Sequence, residues 1–509
     1  IRRPQRSTLF PYTTLFRSHE TAIEWGPVFG ESHILYAPVP CSPCHIPNKE
    51  ACKFDLRCLK TISPARVFTA IKAPQQFDKR LSVSDVEAQL AARIAQNADG
   101  LLPLELLKLA DSIACSIHNR PYKCLFVDVS ELVRHDAKSG VQRVTRSILK
   151  ELLAFPPEGY RVRAVYASPY DNRGYCYANE FISSFTNQSG VQDDDYIDYA
   201  PGDVFLGLDL QHHVVESQKQ YLTKIRQEGV RVFFVVYDLL PILLPQYFVA
   251  GFEQAHKTWV KTLLGFDGAI CISKAVADEL TTWAKEHGPN RIRPFEINWF
   301  HLGADLENSI PSQGMPDNAN DVIHTISANP SFLMVGTLEP RKGHTQVLDA
   351  FEQLWLSGQG INLVIVGKHG WMVDELVGRL RTHAELNKRL FWLEGISDEY
   401  LEKVYSASTC LIAASYGEGF GLPLIEAAQH KLPIIARDIP VFREVAGEHA
   451  FYFEDNVSSQ VIADAVKDWL MLYKQDQHPK SEKMPWLTWK ESAGCLLQEL
   501  NIYNNEFSD

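Results

Sequence analysis

Ser415-Tyr416-Gly417-Glu418-Gly419-Phe420-Gly421-Leu422-Pro423-Leu424-Ile425-Glu426-Ala427-Ala428 directly follows the apolar run Thr409 to Ala414. The run is strand-sized. Three glycines then interrupt it, and Pro423 stands where a first-turn proline costs no hydrogen bond, so the stretch predicts a buried strand, a tight turn and a helix. Glycines at 417, 419 and 421 would let main-chain amides approach a ligand closely, and a helix start offers free N–H groups to an anion. A phosphate site follows from that combination. Glu426 falls about one turn into the helix, where a carboxylate can accept two hydrogen bonds from vicinal hydroxyls such as those of a ribose. Glu418 stands on the loop. Either carboxylate alone could merely complement the helix dipole, but two of them bracketing a glycine-proline turn after a strand make a more specific pattern.

The same alternation of strand and helix extends on both sides of this stretch. Upstream lie the apolar runs Cys124–Asp128, Arg161–Tyr166, Asp203–Gly207, Arg231–Asp238 and Gly268–Ser273; after a Pro-, Gly- and Asn-rich stretch from Pro311 to Pro330 come Phe332–Val335, Asn362–Gly367, Leu390–Leu393 and Leu432–Ala436. Near-continuous apolar strands with helices between them predict parallel sheets covered on both faces. The expected architecture is α/β, with two Rossmann-like doubly wound domains, 121–315 and 325–475, facing across a cleft where such folds bind ligands. A helical tail, 476–509, carries Trp486 and Trp489, read as packing residues.

The chain has 509 residues, 45% of them hydrophobic, and 50 Lys+Arg against 62 Asp+Glu give a formal net charge of −12. At roughly 150 residues per domain this length suggests about three folding units. The acidic balance gives no electrostatic support for binding a polyanion, so nucleic acid is not an expected partner. Apolar runs such as Val232–Val236 fall well short of the ~20 residues of a membrane span, so any contact with a bilayer would be peripheral. Of the ten cysteines, six (115, 124, 176, 271, 410, 495) are scattered singly, which fits free thiols in a reducing cytoplasm. The other four form Cys41-x2-Cys44-x7-Cys52-x5-Cys58; the second pair lacks the short spacing of a zinc knuckle, and thiols without a metal are the preferred reading.

The chain opens on Ile1, and Ser7 to Ser18 repeats Thr-Leu-Phe without a core-forming period, so residues 1–18 are read as non-native sequence. Residues 19–75, with Cys41-Ser-Pro-Cys44 and Cys58 to Val67, resemble the C-terminal tail of a glycosyltransferase family 9 protein, without its nucleotide-binding core. Residues 76–120 have apolar residues at helical spacing, broken at Gly100 and Pro103, and are expected to be a helical connector.

A second constellation, Val335-Gly336-Thr337-Leu338-Glu339-Pro340-Arg341-Lys342-Gly343-His344, follows the first strand of the second domain. Together with Glu418-x7-Glu426 in its strand-turn-helix setting, it resembles glycosyltransferase family 4, retaining enzymes with the two-domain GT-B fold. The resemblance runs from about Leu125 to about Phe453, with an extension to Trp489. It implies that Glu418 lies at the transferring sugar and that Glu426 binds the nucleotide ribose. GT-B enzymes normally stabilise the leaving diphosphate with their own cations rather than a metal, a role that falls to Lys342. The family commonly shows Gly-Arg-Leu at this strand end; Thr337 replaces that arginine here, so the second charge is assigned to Arg341. Lysine and arginine at such a turn could also be only an exposed pair.

The resemblance extends to further positions. Gly140, with Arg143 in the helix it opens, resembles the glycine loop that closes over the diphosphate and the acceptor. Tyr237-Asp238 stands where many relatives have His-Asp, which leaves Asp238 to contact the donor sugar or acceptor. Lys274 would reach the acceptor or phosphate. Gly336, Thr337, Gly367, Lys368, Gly419, Phe420, Gly421 and Leu422 would line the donor pocket. No cofactor and no metal are implied; the donor is a nucleotide sugar. The Gly-Thr-Leu-Glu-Pro-Arg-Lys-Gly variant resembles bacterial mannosyltransferases of surface-polysaccharide and lipopolysaccharide assembly, which favours GDP-mannose over a UDP-sugar. The implied acceptor is a glycan or lipid-linked glycan, and the implied location is cytoplasmic, with peripheral contact at the inner face of the membrane. Two alternatives share the donor site: a nucleotide-sugar epimerase of GT-B fold, and a non-catalytic nucleotide-sugar-binding subunit.

Overall fold

The computed structural model describes residues 122–502, apart from 137–138, 187–192, 292, 306–311 and 456, and before them two dipeptide strands, Thr14–Leu15 and Ile34–Leu35, paired in parallel. The four-cysteine cluster, Cys115, and the expected connector lie outside the described residues. Residues 118–509 form one compact unit.

Its first sheet contains β1 (Lys123–Asp128), β2 (Tyr160–Tyr166), β3 (Cys176–Tyr177), β4 (Val204–Gly207), β5 (Arg231–Val236), β6 (Gly268–Cys271) and β7 (Glu296–Trp299). Their order is β3-β2-β1-β4-β5-β6-β7. All pairings are parallel except β2 with β3, where the chain adds an antiparallel edge that the apolar pattern does not announce. The second sheet contains β8 (Ser331–Val335), β9 (Asn362–Val366), β10 (Leu390–Leu393), β11 (Cys410–Ala413), β12 (Ile434–Arg437) and β13 (Phe451–Phe453). Its order, β10-β9-β8-β11-β12-β13, is wholly parallel and has the doubly wound 3-2-1-4-5-6 arrangement. The expected α/β fold of two Rossmann-like domains is therefore the fold observed. The central strands are apolar because both their faces are covered: Val232 to Val236, Leu363 to Ile365 and Ile434 to Ala436 are all buried.

Five helices position the site. Helix α1 (Gly140–Ala154) starts from a capping box in which the Ser139 hydroxyl accepts from Gln142 N. Helix α2 (Lys274–His287) is capped by Ser273, α3 (Asp398–Ala407) by Ser397, and α4 (Leu422–Gln429) begins after Gly421, whose φ of 101° is left-handed, with a proline in its first turn. Helix α5 (Trp489–Glu499), capped by Thr488 and Glu491, crosses back from the second domain to pack on α1. Trp489 N donates to Asp305 Oδ1 (2.6 Å) and the Ser492 hydroxyl to His301 O (2.7 Å). Trp489 is fully buried there, whereas Trp486 is 41% exposed. The described cysteines 176, 271, 410 and 495 are free. Among the described residues no helix is long and apolar enough to cross a membrane.

Candidate functional site

In the second sheet the strand order reverses between β8 and β11, and the loops leaving those two strands meet. Open α/β sheets bind ligands at this switch point, outside the carboxyl ends of the strands. Tyr416 N donates to Arg341 O (2.8 Å), tying one loop to the other. Lys342 Nζ and Arg341 Nη1 both pair with Glu418, the latter at 3.0 Å from Oε2; Arg341 Nε also pairs with Glu339 Oε2 (2.9 Å), and the Ser415 hydroxyl donates to Glu418 Oε1 (2.6 Å). Burial alone would raise the Glu418 pKa, but Lys342 and Arg341 outweigh it and hold the carboxyl down at about 2. Burial would lower Arg341, and Glu418 and Glu339 reverse that, keeping it charged. All three side chains are between 12 and 16% exposed, so the cations sit in a low-dielectric pocket. A diphosphate entering here would meet two fixed positive charges and compete with Glu418 for them.

The Lys342 stem lies along Gly336, its Cε 3.6 Å from where a Cβ at 336 would stand. Gly367 packs against the Gly336 carbonyl at the end of β9, with Thr337 beside Gly370. Lys368 is exposed, and its carbonyl accepts from Leu338 N (2.9 Å). A narrow pocket between these loops is lined by Val335, Lys342, Ser415, Glu418, Gly421 and Phe442.

Glu426, one turn into α4, is buried and bridges the two domains. Arg143 Nη1, on α1 of the first domain, lies 2.5 Å from Glu426 Oε1, and the Tyr405 hydroxyl on α3 donates to Oε2 (2.7 Å). Burial would lower Arg143; the Glu426 charge raises it instead. Arg143 Nη2 is buried with no partner among the described residues, a donor left over for a ligand. Gly140, three residues earlier, is exposed at the helix start with open space around it.

From the first domain, Asp238 follows β5 and accepts from Leu240 N (3.1 Å). Burial raises its pKa; Arg341 and Lys342, across the cleft, work against that. The Tyr237 hydroxyl turns away, donating to Leu208 O (2.8 Å) inside the first domain. Lys274 is exposed, and its ammonium pairs with Asp278 on its own helix (2.6 Å).

The glycine loop differs from expectation in one respect. The room at Gly417 and Gly419 is filled by the first domain, not left open to a ligand: a Cβ at 419 would stand 2.0 Å from Tyr237 O, and one at 417 would stand 2.6 Å from Leu240 Cδ2. The Ser273 hydroxyl donates to Gly419 O (2.8 Å), and the Phe420 ring packs edge-on to His301. Here the absence of side chains serves close approach of the two domains. Leu422 opens α4 behind them.

Four groups escaped the sequence reading. Tyr405 and Ser415 fix the two glutamates, and Glu339 shares Arg341. Arg437, fully buried at the end of β12, donates to Ala414 O (3.0 Å) and lies 4.1 Å over the Tyr416 ring, bracing the Glu418 loop from behind. Ser415 and Glu339 sit inside the two stretches that the sequence singled out, without being marked there as site residues. Tyr405 and Arg437 are joined to the site by tertiary packing alone. Among the described residues no group of three or more His, Cys, Asp or Glu side chains is placed to hold a metal ion.

Residues 319–483 match the family model described as glycosyl transferases group 1. The chain is 46% identical over 435 residues to the serotype-specific mannosyltransferase WbdA of Escherichia coli, covering 84% of this chain and 52% of that protein. It thus spans about half the length of that relative. The O-antigen chain mannosyltransferase RfbU of Salmonella typhimurium is 32% identical over 137 residues, covering 26% of this chain and 37% of that one. In fold, the chain is similar to the N-terminal domain of Candida albicans trehalose-6-phosphate phosphatase, with a TM-score of 0.51 at 12% identity over 76% of this chain and 94% of that one.

Proposed function

We propose that the chain, of which residues 319–483 match the group 1 glycosyl transferases, moves a hexose from a nucleotide sugar to a glycan acceptor with retention of configuration, and that the donor is GDP-mannose in preference to a UDP-sugar. The observation that carries this reading is the Lys342–Glu418–Arg341 cluster at the switch point of the second sheet, with Asp238 opposite it. Mannose is supported by the names of the relatives, which are mannosyltransferases.

In this reading Lys342 and Arg341 take the donor's diphosphate, with the spare Arg143 N–H as a third donor from the other domain. Their charges are already in place before bond cleavage, so the negative charge that grows on the leaving phosphate is stabilised without reorganisation. Glu418, released from Lys342, faces the sugar hydroxyls, and Glu426 takes the ribose diol. The bond from sugar C1 to the phosphate oxygen breaks, a bond from C1 to the acceptor oxygen forms on the same face, and the acceptor proton passes to the departing phosphate. No side chain has to serve as general base. Asp238 orients the hydroxyls on the acceptor side. The acceptor is a glycan or lipid-linked glycan of a bacterial surface polysaccharide, met at the cytoplasmic face of the membrane.

A thermal-shift screen of nucleoside diphosphates and nucleotide sugars tests the donor: GDP and GDP-mannose should raise the melting temperature most. Stabilisation by none of them would sink the reading. Incubation of GDP-mannose with a mannose-terminated oligosaccharide should then lengthen it through an α-linkage, whereas an epimerised nucleotide sugar with no lengthened product would point to the epimerase. Sedimentation with anionic vesicles at low and high salt tests the membrane contact.

A further inference from the structure

We propose that Tyr405 is a positioning residue that fixes Glu426 and thereby sets how sharply the chain distinguishes a ribonucleotide donor from one lacking the ribose hydroxyls. The inference rests on the nucleotide-sugar reading of the cleft. Nothing in the Glu418-x7-Glu426 pattern points to Tyr405, which lies 21 residues before Glu426 on a different helix.

A glutamate side chain is free to rotate about its last torsion, so a lone carboxylate offers its oxygens in many orientations. Glu426 is not left in that condition. Tyr405 Oη holds Oε2 at 2.7 Å from α3, and Arg143 Nη1 holds Oε1 at 2.5 Å from α1. With one donor on each oxygen, the plane of the carboxylate is set. Each oxygen has two lone pairs and spends one on protein, which leaves one on each for two further donors a fixed distance apart. A vicinal diol supplies that pair.

Tyr405 is built to hold its place. Its side chain is buried, and its ring stacks on His430 at 5.0 Å and 2°. His430 N in turn donates to Glu426 O (3.2 Å), so the helix that carries Glu426 also carries the platform for the tyrosine ring. Burial and the neighbouring Glu426 charge push the phenol well above its ordinary pKa, so it remains a donor.

The test compares GDP with 2′,3′-dideoxy-GDP, and UDP with its dideoxy analogue, by titration calorimetry. Wild-type protein should prefer the better-binding ribonucleotide over its dideoxy form by about 100-fold, because a site built to bond a hydroxyl rejects the analogue without it. Tyr405→Phe should cut that ratio about tenfold, leaving the affinity for the dideoxy form and for inorganic pyrophosphate unchanged. Unchanged pyrophosphate binding shows that the pocket is still folded. Glu426→Gln should lower the ratio on its own, and the double variant should add little, since both act through one carboxylate. An unaltered ratio in Tyr405→Phe, or equal weakening of both nucleotides, would overturn the inference and leave the nucleotide-sugar reading standing. Wild-type protein that binds neither ribonucleotide would overturn that reading and the inference together.

Discussion

The two walls of the cleft handle carboxylates in opposite ways. On the second domain Glu418 is buried against Lys342 and Arg341, and its pKa falls to about 2. On the first domain burial raises Asp128 to about 6, Asp209 to about 7 and Glu279 to about 7, and it raises Asp238 as well. No cation acts on Asp128, Asp209 or Glu279 to oppose burial; hydrogen bonds partly offset it for the first two. Desolvation acts on both walls, so the difference lies in where cations are placed. The second wall is prepared for a ligand that brings its own negative charge, while on the first these buried carboxylates are pushed toward their neutral form and Arg143 is the cation that reaches across to Glu426. That division suits a diphosphate on one side and sugar hydroxyls on the other.

The sharpest way to break the comparison is to remove the cation that makes the second wall what it is. Lys342→Ala should lower kcat by about 10²- to 10³-fold, the cost of losing one preorganised charge opposite a developing anion. Arg341 still neutralises Glu418, so the variant should fold, with a cooperative melt followed by circular dichroism. Wild-type turnover would show that the diphosphate lies elsewhere. Gly419→Ala attacks the meeting of the walls instead of their charge. A Cβ there would stand 2.0 Å from Tyr237 O, so the walls must separate. Turnover should fall about 100-fold, as expected for displacing reacting groups by about an ångström, while binding of nucleoside diphosphate changes much less. A normal rate in this variant would mean that the closed arrangement is not the reactive one.

On the first wall, Asp238→Asn should lower kcat/KM roughly tenfold through the acceptor, with donor affinity kept, because it removes one orienting hydrogen bond and no diphosphate contact. A loss of donor affinity equal to the loss of kcat/KM would move Asp238 to the donor side and erase the division between the walls.

How far this division could be read in the sequence depended on how local each part is. Lys342 and Glu418 each follow an apolar strand by a few residues, so β8, β11 and their loops are legible in continuous stretches such as Phe332–Val335 and Leu411–Ala414. The doubly wound order followed from the repetition of such strands. Cys176–Tyr177 and Glu296–Trp299 were not legible, because they form the two edges of the first sheet and are only partly buried, so selection for apolar residues is weak there. Phe451–Phe453 is three residues long at the edge of the second sheet. The pairing of Arg143 with Glu426 spans 283 residues, and no spacing rule reaches that far. Gly419 shows a subtler limit: the sequence announced a close approach, and only the tertiary fold could tell that Tyr237 makes it.

The smallest effect tests the first wall through stability rather than rate. Glu279, on α2 near Asp238, has a pKa raised from 4.5 to about 7, with burial the main cause and the Asp238 charge the second. A carboxyl raised in the folded state holds its proton where the unfolded chain has released it. Its contribution therefore favours folding below about pH 4.5 and is lost as pH rises toward 7. Glu279→Gln removes that titration while keeping the shape, so it should stabilise the protein by about 1–3 kcal/mol at pH 8 and hardly at all at pH 4.5. The sign is opposite for Glu418, whose lowered pKa contributes stability above pH 4.5 that disappears as pH falls toward 2, so Glu418→Gln should destabilise at pH 8. Across pH 4.5 to 8 the melting temperature of Glu279→Gln should climb progressively above wild type, while that of Glu418→Gln should lie below wild type by a nearly constant amount. If both curves moved the same way, burial would be governing the two walls alike, and the placement of Lys342 and Arg341 would not be what separates them.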